Sequence, residues 1–195
     1  MSYKGSGTVS RSRPGVNLPS EPGLHRLARM CDGCGLDRED DDAVGRKIDL
    51  ASAPRRSGTS YPPPYDVRCK GRERKRLGLA AGLTQFGVNL LRLPPGQWSS
   101  QRHWQHGEDE FVYVLEGEVV LVTDAGEETM RAGDCAGFKA GEPDAHHFQN
   151  RSERDALLLE VGTRLPGGDG ATYPDIDLRI DAGASRYLHK DGTPY

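Results

Sequence analysis

The chain has 195 residues and a formal net charge of −3, so it is long enough for one domain with a hydrophobic core but too short for two comfortable ones. A net charge this small does not favour binding to nucleic acid or to a membrane surface. The longest uninterrupted apolar run, residues 111–115, is too short for a transmembrane helix or for the apolar segment of a secretory signal. We therefore expect a cytoplasmic protein that binds neither membranes nor nucleic acids.

Residues 1–45 differ in composition from the rest of the chain. They contain no Ile, Phe or Trp, and they end near an acidic run at residues 39–42. Such a segment cannot bury enough apolar surface to offset the conformational entropy that is lost on folding. We predict a disordered N-terminal extension over residues 1–45 and a folded domain over residues 46–195.

A strongly basic run follows at residues 68–76, with six basic side chains and one acidic side chain. A run of this kind can contact phosphate groups of nucleic acid. No aromatic residues are interleaved with the charges, as they are in many nucleic-acid-binding segments. We interpret the run as a solvated loop.

From residue 84 onward, short segments rich in Val, Leu and aromatic residues alternate with turns that contain Gly, Pro or Asp. This pattern is typical of short β-strands joined by tight turns. The predicted strands cover residues 85–93, 110–115, 119–123, 127–131, 135–138, 145–150 and 157–161. No helix of ordinary length is predicted here, so we expect an all-β domain, either a sandwich or a closed barrel.

The histidines are clustered. Four of the six lie in two pairs, His103 with His106 and His146 with His147, and Glu110 stands between the pairs at the start of an otherwise apolar strand. Two imidazoles and a carboxylate form a ligand set that suits Fe(II), Mn(II), Ni(II) or Zn(II). These residues are therefore candidate metal ligands.

Side-chain alternation along a strand indicates which of these residues can meet. His103 shares a face with Gln105, and Glu110 shares a face with the apolar residues two and four positions later. His147 is expected to face outward if His146 faces inward. One histidine from each pair can thus converge with Glu110 inside a barrel.

At these residues the chain resembles the cupin superfamily. The first cupin motif, G-x5-H-x-H-x3–4-E-x6-G, is similar to the segment from Gly96 through His103 and Glu110 to Gly117. The second, G-x5-P-x-G-x2-H-x3-N, is similar to residues 133–150, although Lys139 replaces the proline and two extra residues precede His146. The resemblance implies a cupin double-stranded β-helix, or jelly-roll barrel, with its core at about residues 84–163, a divalent metal ion, and a small-molecule ligand. It also implies a homodimer, since small cupins with open strand edges often pair.

The chain departs from the family pattern at one metal ligand. The second histidine of the H-x-H motif falls at Gln105 when His103 and Glu110 hold their usual places. Three alternatives remain open. Gln105 binds the metal through its amide oxygen, His106 supplies the missing nitrogen through a bulge, or the site binds no metal.

Two functions follow from these alternatives. One is a metal-dependent enzyme that acts on a small polar molecule by oxygenation, isomerisation or lyase chemistry, with His103, Gln105, His106, Glu110 and His146 as candidate metal ligands. The other is a non-catalytic cupin that binds a sugar or an organic acid beside a degenerate metal site.

Overall fold

The structure is a computed structural model and describes residue 45 and residues 47–195. Within these residues there is one short helix, α1 (Leu77–Ala80), and a 3-10 turn at Val67–Cys69. The strands are β1 (Arg55–Ser57), β2 (Glu73–Arg76), β3 (Phe86–Leu93), β4 (Trp104–Gln105), β5 (Glu110–Glu116), β6 (Glu118–Thr123), β7 (Gly126–Arg131), β8 (Cys135–Phe138), β9 (His147–Gln149), β10 (Ala156–Thr163), β11 (Ala171–Tyr173) and β12 (Leu178–Ile180). None of the described helices has the length and apolar character needed to cross a membrane.

The strands form three antiparallel sheets. A six-stranded sheet has the order β1-β2-β3-β10-β5-β8, and two three-stranded sheets have the orders β7-β6-β9 and β12-β11-β4. The main core lies between the first two sheets, because its buried side chains come from β3, β5 and β10 on one side and from β6, β7 and β9 on the other. The predicted all-β class is confirmed.

The flanking segments build a second core beside the barrel. It combines Tyr61 and Cys69, which precede the barrel, with Ala171, Tyr173 and Leu178, which follow it. The same C-terminal segment pairs with β4 through β11. The two flanks therefore pack together next to the strand that carries Gln105.

The interior of the barrel is apolar at one end and polar at the other. In the neighbouring strands β3, β10 and β5, inward-facing residues pair across the sheet in rows. The first row is Leu91, Leu158 and Val114; the next is Asn89, Glu160 and Val112; the last is Gly87, Gly162 and Glu110. The polar end, where Glu110 lies, is the natural place for a binding site, because buried polar groups there need partners.

The seven strands predicted after residue 84 correspond to β3 and to β5 through β10. The interpretation of residues 68–76 as a solvated loop is wrong for the second half of the run, because Glu73–Arg76 forms β2 and pairs with β3, whereas Arg68 and Lys70 are exposed and lie outside the strands. Arg72 is buried and Arg74 is largely buried, and both guanidinium groups find acceptors inside the protein. Burial is tolerated because each charged group is hydrogen-bonded.

The predicted disordered extension at residues 1–45 lies almost wholly outside the described residues, so it stays a prediction together with its boundary. The homodimer also stays a prediction, since the structure describes one chain.

Gly117, the last glycine of the first cupin motif, forms the turn between β5 and β6. Gly117 has a φ of +80°, and a Cβ there would lie 2.8 Å from the carbonyl oxygen of Asp155. We expect Gly117→Ala to lower the free energy of unfolding by roughly 1 to 3 kcal/mol, through backbone strain and this clash. Urea denaturation measures the change.

Gly137→Ala is the matched control, because Gly137 has an ordinary φ and a Cβ there would meet nothing closer than 3.9 Å. Its effect should stay within about 0.5 kcal/mol. Equal effects of the two substitutions would contradict the strain argument.

Candidate metal centre

His103 and His146 are brought together by the backbone. Each residue's N–H donates to the other's carbonyl oxygen, at 2.8 Å for the N–H of His146 and 3.2 Å for the N–H of His103. This isolated antiparallel bridge places the two imidazole rings 5.3 Å apart between centroids. One histidine from each of the two sequence pairs, His103 and His146, therefore lies next to the other.

His146 and Glu110 are in direct contact. Nε2 of His146 lies 3.2 Å from Oε2 of Glu110, and the imidazole side chain is 3% exposed. The imidazole stacks on Phe138 at 3.4 Å between ring centroids. Burial alone would raise the pKa of Glu110, but the hydrogen bond from His146 and the nearby charges bring this pKa below its ordinary value. Glu110 is thus a carboxylate that accepts the imidazole N–H.

The ring of His103 is oriented by a backbone carbonyl. Its Nδ1 lies 3.0 Å from the carbonyl oxygen of Gln101, and the ring stacks on Tyr173. Burial lowers the pKa of His103 to about 4, partly opposed by Glu110. The imidazole is therefore neutral at pH 7, with its proton on Nδ1 and its lone pair on Nε2. Metal-binding histidines are commonly held by this type of carbonyl hydrogen bond.

Gln105 carries a buried acceptor without a donor. Its Oε1 has no hydrogen-bond partner among the described residues. The side chain borders one cavity together with His146 and another together with Glu110. A buried amide oxygen without a partner is costly, and a cation is one partner that would satisfy it.

His106 does not lie with the other candidate ligands. Its ring is exposed, and Nε2 lies 2.9 Å from Oγ1 of Thr172 on β11. The backbone N–H of His106 donates to the carbonyl oxygen of Gly170, which ties this residue to the C-terminal segment. Of the two candidates for the missing ligand, Gln105 borders cavities that His146 and Glu110 also border, whereas the ring of His106 lies against Thr172.

A cavity of about 160 Å³, which we call the histidine cavity, is bordered by His103, Glu110 and His146. Sequence reasoning missed several of its other lining residues, which are Tyr61, Arg72, Arg74, Ser99, Ser100 and Glu160. Arg74 binds Glu160 through two hydrogen bonds, at 2.6 Å from Nε and 2.7 Å from Nη2. Glu160, a lone carboxylate in an otherwise apolar strand, was the signal that could have revealed a buried basic partner.

The donor chemistry fits a divalent cation. Two atoms that bind one ion at about 2.1 Å lie roughly 3 to 3.4 Å apart. The contact between Nε2 of His146 and Oε2 of Glu110 has that spacing, and an ion bound there would replace the proton that the two atoms share. The lone pair of His103 and the unpartnered oxygen of Gln105 supply two further donors. Within the described part of the chain, however, no three His, Cys, Asp or Glu side chains already enclose a metal position. The fit is one of donor type and of this one spacing.

Comparison with known proteins identifies the class. The family model for the cupin domain matches residues 89–162. A solved structure of a sugar phosphate isomerase of the cupin superfamily from Silicibacter pomeroyi is 49% identical to this chain, with a TM-score of 0.72. The match covers 77% of this chain and 96% of that protein. The chain belongs to the cupin superfamily, and the expected cupin fold is confirmed.

Two further structures extend the comparison. A provisionally named sugar phosphate isomerase from Acidithiobacillus ferrooxidans is 30% identical, with a TM-score of 0.57, over 64% of this chain and 80% of that one. The polyketide cyclase RemF from Streptomyces resistomycificus is 20% identical, with a TM-score of 0.51, over 62% of this chain and 80% of that one; this likeness concerns the fold alone. No match was found among curated proteins.

The ion pair beside the site is testable by stability measurements. The side chains of Arg74 and Glu160 are 22% and 9% exposed, so removing one partner leaves a poorly solvated charge. We expect Arg74→Met to lower the free energy of unfolding by about 2 to 3 kcal/mol, and the double variant Arg74→Met/Glu160→Leu to recover much of that loss. Chemical denaturation of the double-mutant cycle gives both values.

Arg92→Met is the control, because Arg92 and Asp155 form a pair that is half exposed on both sides. It should cost less than about 1 kcal/mol. A cost for Arg74→Met no larger than for Arg92→Met would show that the buried pair is energetically unimportant.

Proposed function

We propose that this protein is a divalent-metal-binding cupin that isomerises a phosphorylated sugar. The main support for a metal is the contact between His146 and Glu110. A second support is the unpartnered oxygen of Gln105. The metal would be held by His103, Gln105, Glu110 and His146, and iron, manganese, nickel and zinc all accept such ligands. His106 is not among the proposed ligands.

The relatives support the reaction class. The two solved structures with 49% and 30% sequence identity to this chain are named as sugar phosphate isomerases, the second provisionally. Aldose–ketose isomerisation moves a proton between two adjacent carbons and shifts the carbonyl group in the opposite direction. A bound divalent metal supplies a Lewis acid that polarises the carbonyl and the neighbouring hydroxyl.

Glu108 is our candidate for the group that carries the proton. It lines the cavity that also contains Gln105 and Glu110. Its Oε1 accepts the backbone N–H of Leu165 at 2.7 Å, which fixes the carboxylate, while Oε2 has no hydrogen bond to the described residues. A carboxylate held in this way can take a proton from one carbon and return it to the next.

A metal-free binding protein is the alternative. It is favoured by the replacement of a histidine by Gln105 in the cupin motif, because an amide oxygen binds transition metals more weakly than imidazole does. In that case the cavity would hold a sugar or an organic acid without turning it over.

The metal can be tested by elemental analysis of protein reconstituted with iron, manganese, nickel or zinc. We expect about one ion per chain in the parent protein and none in His103→Ala/His146→Ala, because the double variant removes both imidazoles. His106→Ala is the matched control and should keep its metal, since that ring lies against Thr172. Negligible metal in parent and double variant alike would favour the metal-free binding protein, and loss of metal in His106→Ala would restore His106 as a ligand.

The proton carrier can be tested separately by ¹H NMR in D₂O. A panel of aldose and ketose phosphates is incubated with metal-loaded protein, and enolisation is reported by loss of the C2 proton signal of an aldose or of a C1 proton signal of a 2-ketose. We expect Glu108→Gln to slow this exchange by about 10²- to 10⁴-fold without lowering the metal content. Glu118→Gln, which removes an exposed carboxylate that pairs with Arg131 away from the cavities at the site, should leave the rate unchanged. Equal rates for parent and Glu108→Gln would exclude Glu108 from this role.

A further inference from the structure

A second cavity, of about 210 Å³, lies at the polar end of the barrel beside Glu110; we call it the glycine cavity. It is bordered by Gly87 and Gly162, which occupy the inward-facing row that also contains Glu110. Any larger residue at either glycine would place a side chain in this row. The guanidinium group of Arg164 covers Gly87, because a Cβ on Gly87 would lie only 3.0 Å from Nη2 of Arg164.

Three polar side chains border the glycine cavity with unused hydrogen-bond donors. Arg164 makes no side-chain hydrogen bond or ion pair to the described residues. Asn89 faces inward in the row of Glu160, and its amide likewise has no partner there. Arg74 is bound to Glu160 through Nε and Nη2, which leaves Nη1 without a partner in the described part of the chain. Arg164 is exposed, and Asn89 and Arg74 are half-buried, so these donors border the cavity where an anion entering from solvent can reach them.

We propose that the glycine cavity binds the phosphoryl group of the substrate, with Arg164, Arg74 and Asn89 as the donors. This assignment rests on the proposed function and deepens it, since it places the phosphoryl group at one end of the substrate and the reacting carbons beside Glu110. Arginine presents several N–H donors in a planar fork, which matches the oxygen atoms of a phosphate. Arg164 supplies a charge that no carboxylate of the described residues neutralises.

Of the three acidic groups of the cavity, Glu160 has a cationic partner, Glu110 would gain one with a bound metal, and Glu108 keeps its charge. Glu160 is engaged by Arg74, and Glu108 accepts the N–H of Leu165. Glu110 is bound to His146 and is one of the proposed metal ligands, so its charge would be offset by the ion. A phosphoryl group is therefore the anion that this end of the barrel can receive together with a metal.

The test uses inorganic phosphate as the probe and isothermal titration calorimetry as the readout. The full-length protein is titrated in its metal-loaded form and after treatment with a chelator. We expect Arg164→Gln to weaken phosphate binding by about tenfold or more in each form that binds it, since one charge-assisted contact is lost. Asn89→Ala should weaken binding to a smaller extent, and Arg164→Lys should restore only part of the affinity.

Arg92→Gln is the matched control, because Arg92 lies on the outer side of β3, where it pairs with Asp155. It should bind phosphate as the parent does. Metal content is measured on every variant, so that loss of phosphate binding with unchanged metal identifies the phosphoryl site itself. Phosphate binding through Arg164 in a protein that holds no metal would contradict the proposed metal-dependent isomerase but would still support the phosphoryl site.

Equal phosphate affinity in Arg164→Gln and the parent would overturn the assignment. So would phosphate binding that disappears with the metal and does not respond to Arg164→Gln, because the phosphate would then sit on the ion.

Discussion

The polar end of the barrel depends on the ion pair between Arg74 and Glu160. Glu160 faces inward in a strand whose other inward side chains are apolar, and its charge would be costly without a cation. Arg74 supplies that cation from β2 and also donates to the carbonyl oxygen of Ser99, as the buried Arg72 does. Ser99 begins the segment that leads to His103. One ion pair thus links the flanking strand, the barrel wall and the loop that carries a candidate ligand.

The barrel interior changes from apolar to polar along three adjacent strands, β3, β10 and β5. Each contributes large apolar residues at one end and a small or polar residue at the other. The apolar end forms the packed core and supplies the hydrophobic stabilisation, while the polar end, at Gly87, Gly162 and Glu110, borders a cavity. The packed part of the barrel therefore supports the candidate site, and the polar groups proposed to bind or react lie at the end that borders the cavities.

Alternation predicted the faces of regular strands but not the geometry of irregular ones. Val112 and Val114 are buried and Phe111 is exposed, as the sequence pattern of β5 indicates, and Glu110 consequently points inward. The choice between Gln105 and His106 lay beyond such reasoning. β4 ends at Gln105, and the backbone N–H of His106 is bound by Gly170, 64 positions later in the chain. A ring direction that is set by so distant a contact has no local sequence signal.

The sequence also did not predict which strand faces are covered by other segments of the chain. His147 was expected to face outward; it does lie on the face opposite His146, yet it is only 3% exposed because Trp98 and Ser100 cover it. The basic run shows the same effect, since Arg72 and Arg74 are covered by contacts with residues far along the chain. Periodicity reports which face a residue occupies, whereas burial depends on what packs against that face. A lone charge inside an apolar strand, such as Glu160, is a sequence feature that does predict a contact with another element. A charge buried in this way requires an opposite charge next to it.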